Sequence, residues 1–90
     1  MNKQVHVLLH GRVQGVGFRF FVHDCARQLG LTGWVRNLAG DRVEAVATGE
    51  YERLQQFVAL CKKGPPAAVV QDMTVEWQDA SDGFTNFTIR

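Results

Sequence analysis

The sequence predicts an α+β domain in which two helices cover one face of an antiparallel sheet. Three observations carry that expectation. Strand-like alternation and helix-like spacing follow one another in the order β-α-β-β-α-β, with one more short strand at the end. The chain has 90 residues, 46% of them hydrophobic, enough for one core and too few for two. Charged residues make up 21%, with Gly at 9 and Pro at 2, a composition far from disordered or collagen-like chains. Residues 1–90 are therefore read as a single domain.

The elements follow in order. Val5, Val7 and Leu9 alternate with His6, Leu8 and His10, which is a strand. Gly11–Phe18 (GRVQGVGF) is punctuated by glycine and reads as a loop. From Arg19 to Leu29 the apolar residues Phe21, Val22, Cys25, Ala26 and Leu29 fall at helical spacing, with Gly30 as the stop. Thr32–Asn37 is a second strand, 38–41 a turn, and Arg42–Thr48 a third strand with Val43, Ala45 and Ala47 on one face. A second helix follows. Glu50 and Glu52 fall in its first turn and Lys62 and Lys63 in its last, matching the helix dipole. Leu54, Phe57, Val58 and Cys61 are its apolar stripe, and Gly64-Pro65-Pro66 ends it. Val69–Trp77 alternates as a fourth strand, Asp79–Gly83 turns, and Phe84–Ile89 is the short last strand. This order is that of the ferredoxin-like sandwich.

Charge and cysteine usage narrow the function classes. The formal net charge is +1, so nothing global draws the chain to nucleic acid or an anionic membrane. Its distribution is uneven. Residues 1–40 carry Lys3, Arg12, Arg19, Arg27 and Arg36 against Asp24 alone, whereas residues 41–90 are net acidic. A pocket built from the N-terminal segment is expected to be locally positive and suited to a small anion. The longest apolar runs are too short to span a bilayer, and Met1–Gln4 lead into a strand rather than an apolar signal core, so a cytoplasmic protein is expected. Two cysteines support neither a disulfide-dense fold nor a four-thiolate metal site, and both fall on apolar helix stripes as small core residues. No cofactor and no metal are expected, and a monomer is the expectation at this size.

The segment Gly11–Arg19 carries the chemistry. Three glycines between a strand and a helix permit backbone angles that turn successive N–H groups into an anion-binding concavity. The next helix adds free N–H groups and a positive dipole end. Arg19 opens that helix, and its planar fork of donors fits a phosphoryl group. No Gly-Lys-Ser/Thr follows, so this is not a Walker A loop, and the spacing is not GxGxxG. The same glycines equally serve a tight turn that only packs. Asn37 also reads two ways. At a strand end before a turn it caps local backbone; facing the glycine loop, it holds a water by donating and accepting at once.

Together, Gly11-x-Val13-Gln14-Gly15-Val16-x-Phe18-Arg19 and Gly33-Trp34-Val35-x-Asn37, followed by Val43, resemble the acylphosphatases over nearly the whole chain. The resemblance implies hydrolysis of a carboxyl–phosphate anhydride to a carboxylate and inorganic phosphate. It also implies that Arg19 binds the phosphate, that the backbone amides of Gln14, Gly15, Val16, Gly17, Phe18 and Arg19 wrap it, and that Asn37 positions the water. His6, His10 and His23 are expected in structural or surface roles. Related domains occur within larger maturation enzymes that handle carbamoyl phosphate, so a non-catalytic phosphate or carbamoyl-phosphate module is the alternative. A chain ending at Arg90 is expected to be the stand-alone enzyme. RNA-recognition domains share the element order but stack bases on strand aromatics, and the first and third strands here have none.

Overall fold

The computed structural model describes residues 1–80 and 83–90. The elements are β1 (Asn2–Arg12), α1 (Phe18–Gln28), β2 (Thr32–Leu38), β3 (Arg42–Glu50), α2 (Tyr51–Lys63), β4 (Val69–Asp79) and β5 (Phe87–Ile89). They form one sheet in the order β4-β1-β3-β2-β5. The β1-α1-β2 crossover straddles β3, which is the ferredoxin-like arrangement.

The strand alternation sorts the residues as expected. Val5, Val7 and Leu9 of β1, Val35 of β2, and Val43, Ala45 and Ala47 of β3 are all buried on the helix-covered face. Phe18, Val22 and Ala26 of α1 and Leu54, Phe57 and Cys61 of α2 meet them there. Truncating Phe57 in such a core costs about 3–5 kcal/mol. Cys61 behaves as a core residue, and burial pushes its thiol far above the ordinary range. Cys25 is half-buried; both thiols are free.

The other face of the sheet carries His6, Glu44 and Arg36. The Glu44 carboxylate accepts from Arg36 Nε at 2.7 Å and pairs with His6 Nε2 at 2.7 Å. Burial pushes the Glu44 carboxyl up, but those two partners outweigh it and hold the group below its ordinary value.

Several boundaries differ from the sequence reading: β2 and β4 run on to Leu38 and Asp79, and β5 starts at Phe87 rather than Phe84. β1 runs on through Gly11 and Arg12, which pair with Val70 and Val69 after a register shift at His10/Gly11. A Cβ at Gly11 would run into the Val69 carbonyl oxygen, so this glycine serves the close approach of two strands and not the loop. α1 begins at Phe18, because Gly17 in the left-handed conformation already acts as its N-cap. It ends one residue early in a Schellman closure, with Gly30 N–H donating to Arg27 O and Leu31 N–H to Ala26 O. Glu50 is extended and closes β3, leaving Glu52 as the acid in the first turn of α2. The expected antiparallel sheet holds for β1–β4, whereas β5 is only three residues long and runs parallel to β2. The cause is topological: β4 ends where β2 begins, so a strand starting there lies along β2 in the same direction. Asp79 ends β4; the expected turn after it includes positions 81 and 82, outside the described residues.

Candidate active site

The loop between β1 and α1 is anchored on the core by the buried Val13 and tied across to the next strand pair by Gln14. Gln14 Nε2 donates to Leu38 O at 2.6 Å and to Arg42 O at 3.0 Å. Those carbonyls flank the β2–β3 turn, so Gln14 ties the glycine loop to the strand end that carries Asn37. Past this clamp, Gly15 and Gly17 adopt φ of 73° and 75°. A Cβ at either would meet nothing within 4 Å, so backbone angle and not space demands glycine there.

These angles leave a row of donors open. Among the described residues, none of the backbone N–H groups from Gln14 to Arg19 donates a hydrogen bond. The first turn of α1 contains no acid, and Gly17 supplies no side-chain cap. The result is a positive helix end with no acid in its first turn, beside several undonated amides, which suits a compact oxyanion.

Two side chains complete it. Arg19 is half-buried in the first turn of α1. Its Nη1 donates to the Arg90 backbone oxygen at 3.4 Å, which leaves most of the guanidinium fork for another acceptor. Asn37 lies two residues beyond the buried Val35 on β2, hence on the same face of the sheet, but past the edge of the core and exposed. One cavity of about 200 Å³ is lined by the loop residues Val13, Gln14, Gly15 and Gly17, by Phe18, Arg19 and Phe20 of α1, and by Asn37. The side chains expected to act together therefore share one wall-to-wall space, as do the loop residues, apart from Val16, which packs toward the core.

The histidines lie elsewhere. His6 pairs with Glu44, His10 Nδ1 sits 3.5 Å from Asp72, and His23 Nδ1 sits 3.6 Å from Asp24. None of the cavity's described lining residues carries an imidazole or a carboxylate. Two contributors escaped the sequence reading. The side-chain role of Gln14 has no local signal, because its acceptors are main-chain atoms on another element. Phe20 had one: it is apolar yet falls off the α1 stripe.

The fold is a ferredoxin-like sandwich whose loop–helix junction shares a cavity with the Arg19 side chain, a setting suited to a small anion. Comparison with known proteins gives the family. The acylphosphatase family model matches residues 5–89. An acylphosphatase of Trichormus variabilis is 53% identical over 97% of this chain and 85% of its own length. The crystal structure of acylphosphatase from Bacillus subtilis superposes with a TM-score of 0.94 at 41% identity, covering 100% of this chain and 99% of that one. Full-length HypF in its phosphate- and nucleotide-bound form matches with a TM-score of 0.90 at 27% identity, covering 100% of this chain but 12% of HypF. The chain belongs to the acylphosphatase family.

Proposed function

We propose that the chain hydrolyses acyl phosphates, with Arg19 and the Gln14–Arg19 amides holding the phosphoryl group and Asn37 positioning the attacking water. The observation that supports the residue roles is the shared cavity: Gln14, Gly15, Gly17 and Phe18 of the loop–helix junction, with Arg19 and Asn37, line about 200 Å³ of space.

The chemistry asks little more. Water oxygen forms a bond to phosphorus as the phosphorus–oxygen bond to the acyl group breaks. The electron pair leaves with the carboxylate, and the proton of water passes to a phosphoryl oxygen. Because a carboxylate departs easily, phosphoryl transfer runs through a loose transition state with charge spread over the equatorial oxygens. Fixed donors around those oxygens stabilise that charge without reorganising, and a held water removes the entropy of encounter. Asn37 suits the second task, since a carboxamide accepts from water while its N–H₂ donates elsewhere. We take the enzyme to be a cytoplasmic monomer that needs no metal and no cofactor and binds neither nucleic acid nor membrane. The net charge of +1 supports the last part. No helix is long and apolar enough to cross a membrane.

The test is hydrolysis of benzoyl phosphate beside a phosphate monoester. Rapid turnover of the anhydride and slow turnover of the monoester is the expected result. The likeness to HypF favours one alternative, a phosphate-binding module without turnover. Inorganic phosphate bound at the loop with hydrolysis at background would select that reading.

A further inference from the structure

Phe20 breaks the amphipathic pattern of α1. Phe18 and Phe21 turn inward and meet edge to face, with ring centroids 6.1 Å apart. Phe18 is 1% exposed, whereas Phe20 between them is 65% exposed. A lone exposed phenyl is ordinary on a protein surface, but this one lines the same cavity as Arg19 and Asn37.

Its place on the cavity matters. The open amides and the guanidinium claim the phosphoryl end of a substrate, so the acyl substituent leaves the cavity at its rim. On the far side of Gln14 the adjoining groove is polar, lined by His10, Arg12, Asp41 and Gln71, and gives an apolar substituent nothing to displace water against. On the Phe20 side it meets a solvated aromatic face. Contact there removes apolar surface of both partners from water, and two rings gain further from offset or edge-to-face packing.

We propose that Phe20 is the acyl-side specificity residue of this site, packing against the organic substituent so that aryl and bulky apolar acyl phosphates are preferred over acetyl phosphate. The proposal rests on the acylphosphatase reading of the same cavity. Phe20 touches the acyl group and takes no part in bond making.

The experiment compares wild type, Phe20→Ala and Phe20→Leu on benzoyl phosphate and acetyl phosphate, with inorganic phosphate as a competitive inhibitor. The ratio of kcat/KM for benzoyl over acetyl phosphate falls about threefold to tenfold in Phe20→Ala. Phe20→Leu retains part of the preference, and the inhibition constant of phosphate stays within about twofold in both. An unchanged ratio overturns the proposal. So does a parallel loss on both substrates with weakened phosphate inhibition, which makes Phe20 a support of the anion loop. Wild-type protein that hydrolyses neither substrate overturns the reading of the site itself, and Phe20's role with it.

Discussion

Replacing Gln14 with alanine tests how the two halves of the site are held in register. The side chain donates to Leu38 O and Arg42 O at 2.6 and 3.0 Å. A hydrogen bond contributes a net 0.5–1.5 kcal/mol on average, so losing both removes about 1–3 kcal/mol. For a domain of this size each kcal/mol shifts the midpoint by about 4–8 °C, so thermal unfolding moves down by about 5–20 °C. The catalytic effect has a separate origin. Without the clamp the glycine loop and the Asn37 strand end drift independently, and displacements of the order of 1 Å cost on the order of 100-fold in rate. Circular dichroism melts and benzoyl phosphate kinetics, measured well below the lowered midpoint, read the two effects apart. Gln14→Glu keeps the length but turns an acceptor toward two carbonyl oxygens, and it falls at least as far. A Gln14→Ala protein with wild-type midpoint and wild-type kcat would refute the clamp.

Three other outcomes follow from the same geometry. Asn37→Ala lowers kcat far more than it weakens competitive inhibition by phosphate, because its partner is water; equal losses would make Asn37 a phosphate ligand. Incubation with EDTA leaves turnover unchanged, and a loss restored by a divalent ion would contradict direct stabilisation by Arg19 and the amides. Glu44 is held below its ordinary value of 4.5, so its contribution to stability is present above that pH and is lost as the pH falls through the lower folded value. Denaturant midpoints of wild type and Glu44→Gln therefore differ at pH 6 and converge in acid; a constant gap would remove Glu44 from the acid response.

Much of this architecture was legible because it is written locally. Val5, Val7 and Leu9 alternate with His6, Leu8 and His10, and their burial follows from the strand period. Gly64-Pro65-Pro66 stops α2 by removing donors and forbidding helical angles. What escaped depends on partners distant in sequence. Gly11 looks like part of a glycine loop until Val69 and Val70 of β4 arrive beside it. β5 runs parallel to β2 because of where β4 ends, which no property of Phe87–Ile89 encodes. At the site, Arg19 and Asn37 were legible as residue types at a recognisable spacing. That they line one cavity follows from the β1-α1-β2 crossover, and the Gln14 clamp beside them reaches across elements to main-chain atoms.

The central claim is that a guanidinium and a row of main-chain donors hold the phosphoryl group through its transfer. It is tested most directly by the kcat/KM of Arg19→Ala on benzoyl phosphate, with folding verified by its melting curve. Losing one preorganised donor group costs about 10²–10³-fold, and Arg19→Ala falls by at least that much while it stays folded. A folded Arg19→Ala protein that turns over at the wild-type rate would contradict the account.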